Sequence, residues 1–263
     1  MSVETTSVDK VELLGVFVAN MTQDEAVGAF ESFVDKRDGR CRAVYIVNAH
    51  TLNLAAADPG YRVLLNMSAL TLGDGTGVRW AARARGETMK ANLVGTDLVP
   101  LLFGEARGTS RSYFLLGSDR ETIRRAAEYA RACFPRWRQA GFHHGYLDEP
   151  AENDRAIEAI NRSGADVLLV GMGNPRQERW IAESRSRLAT PMAIGVGGLF
   201  DHWAGNLARA PSWVRRAGFE WLQLLLQQPH KWRRYLIGNP LFVYRMLATR
   251  SREVGSRRLD VGT

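Results

Sequence analysis

Cysteine is scarce in this 263-residue chain: Cys41 and Cys133 stand alone, far apart and outside any metal-ligand spacing. That scarcity argues against a disulfide scaffold or a thiolate metal site, and the pair reads as reduced thiols of a cytosolic protein. Long apolar runs are missing too, for none approaches the ~20 residues of a membrane span. The start, Met1-Ser-Val-Glu-Thr-Thr-Ser-Val-Asp-Lys10, is polar and acidic, so it is not a signal peptide. Internal repeats and low-complexity segments are also absent. What remains is the composition of a soluble globular protein, long enough for one large or two small domains.

Positive charge is present but unevenly spread. Between Arg209 and Arg258 eleven Lys and Arg face only Glu220 and Glu253, a surplus larger than the +7 of the whole chain. A nearly neutral body with a basic C-terminal end suggests that this end meets something anionic.

The body alternates short apolar strands with amphipathic helices. Thr22-Gln-Asp-Glu25 is a capping box and opens a helix that carries Val27, Phe30, Phe33 and Val34. Arg42–Val47, Ala69–Leu72, Ser112–Leu116, Asp166–Val170 and Pro191–Val196 read as strands, with helices between them. Such alternation predicts a parallel, helix-covered sheet. Several strands run straight into glycine turns: Gly73-Asp74-Gly-Thr-Gly77, Gly171-Met-Gly173-Asn-Pro-Arg176 and Gly197-Gly-Leu-Phe-Asp201. A strand, a glycine turn and a helix N-terminus are the usual means by which α/β proteins hold an anionic ligand. Pro175 suits the first turn of the helix that follows. Asp74, Gln177, Glu178 and Asp201 are then expected to converge on one sheet edge, although Asp74 also fits a plain turn or a helix N-cap. His143 and His144 fall within a strand, where neighbours point to opposite faces and make a poor metal pair.

From Ala210-Pro211 the composition shifts. Trp203, Trp213, Trp221 and Trp232 cluster here, and Pro229 separates two helical faces. One face carries Trp221, Leu224 and Leu225; the other carries Trp232, Tyr235 and Leu236 beside Lys231, Arg233 and Arg234. Aromatics beside basic residues at helical spacing suit a helix lying on an anionic membrane, while a core-packed terminal unit is the other reading. Three regions follow: an α/β body over 1–208, a basic aromatic helical appendage over 209–250, and a frayed or disordered tail over 251–263.

These motifs together carry a resemblance. With Asn48, Asp74-Gly-Thr-Gly-Val78, Val94-Gly-Thr-Asp-Leu98, Phe114-Leu-Leu-Gly117, Gly173-Asn-Pro-Arg-Gln-Glu178, Gly195-Val-Gly-Gly-Leu-Phe-Asp201, Arg209-Ala-Pro211 and Glu220-Trp-Leu…Pro229…Arg234-Tyr235, the chain resembles the WecG/TagA/CpsF glycosyltransferases. The resemblance implies a Rossmann-like sheet of the GT-E type with a C-terminal helical appendage. It also implies an inverting, metal-independent transferase that needs no cofactor, moving a hexose from a UDP-sugar donor to a lipid-linked sugar acceptor on undecaprenyl diphosphate. Asp74 matches the family's candidate base and Arg234 an arginine that meets the departing diphosphate. Asn48, Gln177 and Asp201 match pocket residues, and the same motifs offer Gly73, Thr76, Gly173, Asn174, Glu178, Gly197 and Lys231 as substrate contacts. Four positions depart from the family pattern: Ile46, Leu224, Gln228 and Lys231. Losing an arginine at 224 removes a bidentate anion fork, so N-acetylmannosamine, its uronic acid and glucose all stay open as the transferred sugar.

The implied setting is the cytoplasm, peripherally on the inner face of the cell membrane, with homo-oligomerisation left open. Two other classes fit the sequence less well. A nicotinamide oxidoreductase would want a third glycine where Arg176 stands. A nucleic-acid binder would use the basic tail, which matches no known binding motif, so no nucleic acid is expected as partner.

Overall fold

The computed structural model describes residues 8–105, 111–211, 214 and 220–259; Trp213 of the tryptophan cluster lies outside them. Eight strands form one sheet: β1 (Lys10–Leu13), β2 (Val16–Ala19), β3 (Arg42–Val47), β4 (Leu70–Gly73), β5 (Arg111–Gly117), β6 (Trp137–His143), β7 (Val167–Gly171) and β8 (Met192–Gly195). Their spatial order is β1-β2-β4-β3-β8-β7-β5-β6. All neighbours pair in parallel except β1 and β2. That pair is a hairpin whose turn puts Leu14 at φ 52° and Gly15 at φ 80°, the left-handed geometry that suits a two-residue connection.

Strand periodicity divides the core into two layers. Tyr45, Val47, Leu168 and Val170 pack on one face, Val44, Ile46, Val167 and Leu169 on the other. A sheet buried on both faces needs helices on both, and the sequence supplies them. They are α1 (Gln23–Asp35), α2 (Ala49–Ala57), α3 (Pro59–Asn66), α4 (Thr76–Ala84), α5 (Gly95–Glu105), α6 (Arg120–Cys133), α7 (Pro150–Ser163), α8 (Arg176–Ser184) and α9 (Leu199–Trp203). Thr22 and Glu25 form the expected capping box at α1. Pro175 stands one residue earlier than expected, at the N-cap of α8 rather than in its first turn.

The appendage comprises α10 (Glu220–Gln227), a 3-10 turn at Pro229–Lys231, a π turn at Arg233–Ile237 and α11 (Gly238–Leu259). Pro229 divides the helices as its missing N–H demands. Helix α11 lies against α2 and α4, and its Phe242 and Met246 are buried in the same core layer as Tyr45 and Val47. Asn53 of α2 donates to the Gly238 carbonyl at 2.7 Å, and Arg245 donates back to the Asn53 carbonyl at 2.7 Å. The appendage therefore shares the main core. Its last helix runs to Leu259.

Candidate active site

Parallel strands all end at one edge, and a cleft of about 880 Å³ opens there, between the strand ends and the appendage. Ten of the twelve residues expected from the sequence line it: Asn48, Asp74, Thr76, Gly173, Asn174, Gln177, Gly197 and Asp201 from the sheet side, Lys231 and Arg234 from the appendage. The convergence expected of Asp74, Gln177 and Asp201 is present.

Each is held by local chemistry. Asp74 ends the β3–β4 ladder, its N–H donating to the Val47 carbonyl at 2.8 Å. It is not a helix cap; that position belongs to Gly75, at φ 91°, which caps α4 without a side chain. Asn48 does cap a helix: its Oδ1 accepts from the His50 and Thr51 N–H groups at 3.0 and 3.2 Å. Gln177 ties two strand ends together. Its Oε1 accepts from the Gly197 N–H at 3.0 Å, and its Nε2 donates to Glu178 Oε1 at 2.7 Å. A Cβ on Gly195 would stand 2.9 Å from that Nε2, so the strand end must be glycine for Gln177 to sit there.

Two expected residues do not line the cleft. Gly73 lies under it in β4, where an added Cβ would come within 2.8 Å of Val78 and 3.1 Å of Val18. Glu178, at 0% exposure, turns into the core. There it accepts from Asn174 at 2.5 Å, Gln177 at 2.7 Å and Tyr61 at 3.0 Å. Burial pushes its carboxyl up from the usual range while these donors oppose the push. Such a carboxylate holds Asn174 and Gln177 in position from beneath.

The appendage supplies Lys231 and Arg234, and α8 adds Arg176 to the lining. Lys231 is pushed down by burial and then by Arg234, against which the Asp201 carboxylate pulls it back up. His50, which the sequence reading passed over, also lines the cleft. Burial and then the charges of Arg234 and Lys231 push its imidazole down to about 4, so it is neutral at pH 7. Its position two residues beyond Asn48, at a strand's carboxyl end, was the signal that could have found it. The four positions that depart from the family pattern, Ile46, Leu224, Gln228 and Lys231, all border the same cavity.

The histidine pair differs from expectation. Strand β6 stops at His143, so the alternation of a strand no longer applies at His144. The two rings lie 4.4 Å apart between centroids instead of on opposite faces.

Carboxylates and cations gathered at the carboxyl edge of a Rossmann-like sheet, around a cavity of ligand size, are the arrangement of an α/β enzyme site. The chain belongs to the glycosyl transferase WecG/TagA/CpsF family, whose sequence model matches residues 11–255. It is 31% identical over 206 residues to an N-acetylglucosaminyldiphosphoundecaprenol N-acetyl-beta-D-mannosaminyltransferase of Bacillus subtilis (strain 168), covering 78% of each chain. A relative of the same name from Staphylococcus aureus (strain MW2) is 29% identical over 247 residues, 92% of this chain and 94% of that one. The protein is a glycosyltransferase.

Proposed function

We propose that the protein transfers N-acetylmannosamine from a UDP-sugar to N-acetylglucosamine on undecaprenyl diphosphate, with inversion, at the inner face of the membrane. The relatives' names support the sugars, and their beta product fits inversion of an α-linked donor. The observation that carries the mechanism is that Asp74, from the sheet rim, and Arg234, from the far end of the chain, line one cleft.

Inverting transfer needs a base on the acceptor hydroxyl, on the side of the sugar opposite the leaving diphosphate. Asp74 takes that proton as the hydroxyl oxygen attacks the anomeric carbon. The bond from that carbon to the diphosphate breaks, and the charge left on the diphosphate is met by Arg234 and Lys231. Asp201, close enough to act on Lys231, opposes the downward push on that lysine and is the second carboxylate to test as base. Neutral His50 adds no charge and leaves the cationic work to the appendage.

The acceptor's lipid stays in the bilayer, so the enzyme must come to it. Among the described residues no helix is long and apolar enough to cross a membrane. Trp232, Leu236 and Ile237 are nevertheless exposed on the appendage, and the Arg233 guanidinium lies 5.4 Å from the Trp232 ring. That combination favours adsorption onto an anionic surface.

A panel of UDP-hexoses, assayed with a synthetic polyprenyl-diphosphate N-acetylglucosamine, tests the reading. Preferred turnover of UDP-N-acetylmannosamine to a β-linked product is expected. Preference for the uronic acid or for glucose would overturn the donor assignment and leave the transferase chemistry standing.

A further inference from the structure

Beside the cleft, three metal-ligating side chains come together that the transfer chemistry does not use. His143 ends β6, His144 follows it, and Glu152 lies in the first turn of α7. His143 Nε2 is 3.3 Å from Glu152 Oε1, and His144 Nε2 is 3.2 Å from the same oxygen. Two ligands bound to one ion at zinc-like bond lengths of 2.0–2.1 Å in a tetrahedron stand about 3.3 Å apart. The two separations match that edge.

The surroundings orient the cluster as a metal site requires. His143 Nδ1 lies 2.9 Å from the His144 carbonyl, an acceptor that requires a proton on Nδ1, so Nε2, on the Glu152 side, is the nitrogen left to take an ion. Arg155 binds Glu152 Oε2 and so leaves Oε1 as the ligand atom. His144, only 7% exposed at its side chain, makes no hydrogen bond through either ring nitrogen. A buried imidazole whose ring nitrogens make no hydrogen bond is costly. A cation held between His144 and Glu152 removes that penalty.

We propose that His143, His144 and Glu152 bind one divalent ion of the zinc class, with water in the fourth position. Imidazole nitrogens with a single carboxylate suit zinc, cobalt(II) or nickel(II) better than calcium or magnesium. Glu152 and His143, each partly exposed, leave that fourth side open. The ion joins the end of β6 to α7 across a short connection in which Gly145 and Tyr146 line the cleft. It acts as a pin at the cleft's rim, outside the chemistry assigned to Asp74 and Arg234.

The test uses the full-length chain without an affinity tag, stripped of metal and titrated with cobalt(II) alone. The expected result is one-to-one binding with the visible absorption of a four-coordinate site, and a rise of about 5 °C in unfolding midpoint in excess zinc. His144→Ala should abolish the band, and the milder Glu152→Gln should weaken cobalt binding at least about tenfold, in protein with wild-type circular dichroism. Absence of one-to-one binding by the wild type at about 100 µM cobalt would overturn the site. So would equal binding by Glu152→Gln, which would mark an adventitious ion held elsewhere.

Discussion

His50 illustrates how the cleft sets the chemistry of one side chain. Burial, Arg234 and Lys231 hold its folded value at about 4, below the ordinary 6.5. Between those values the unfolded chain takes up a proton that the folded protein refuses, so stability must fall as pH drops from 6.5 towards 4 and level off below. His50→Gln should flatten that part of the pH–stability curve, measured by thermal unfolding from pH 7 to pH 4. An unchanged slope would mean that the fold does not hold the imidazole neutral. Glu178 carries a complementary lesson. Its motif marked it as a substrate contact, yet the side chain points inward and supports the two neighbours, Asn174 and Gln177, that do line the cleft. A motif states which residues matter together; it does not state which of them face the ligand.

Among the elements, the appendage divides its side chains between two tasks. Trp232, Tyr235 and Leu236 share one face at α-helical spacing, but the π turn over Arg233–Ile237 changes the rotation per residue. Tyr235 and Arg234 consequently border the cleft, while Trp232, Leu236 and Ile237 stay exposed. Replacing Leu236 and Ile237 with glutamate should reduce co-sedimentation with anionic vesicles about tenfold or more, leaving the thermal midpoint nearly unchanged. Undiminished sedimentation would count against membrane adsorption through this face. Truncating the appendage is a poorer test, because Phe242 and Met246 belong to the main core. The strands and the capped first helix were legible because short unbroken apolar runs and the Thr22–Glu25 capping box each act locally. The π turn and the meeting of His143 with His144 were not, since both depend on where a regular element stops.

Across the whole molecule, strand order does not follow chain order, and that is why residues far apart in sequence share a site. Strands β4, β3, β8, β7 and β5 lie side by side, so the turns after them face one space. The rule that parallel sheets build sites at their carboxyl edge was enough to single out Asp74 and Asp201. No local pattern could reveal that α11 returns to α2 and α4, because that return rests on Phe242, Met246 and the Asn53–Arg245 contacts. Charge follows much the same division: a nearly neutral body carries Asp74 and Asp201, and the basic end brings Lys231 and Arg234 to them. The central claim is that one sheet-rim carboxylate performs the proton transfer while the appendage receives the leaving group's charge. Turnover of Asp74→Asn, measured with UDP-N-acetylmannosamine and with donor affinity determined in parallel, tests it most directly. The account predicts a loss of roughly 10²–10⁴-fold in turnover with donor binding within a few-fold of wild type; turnover close to that of the unaltered enzyme would contradict it.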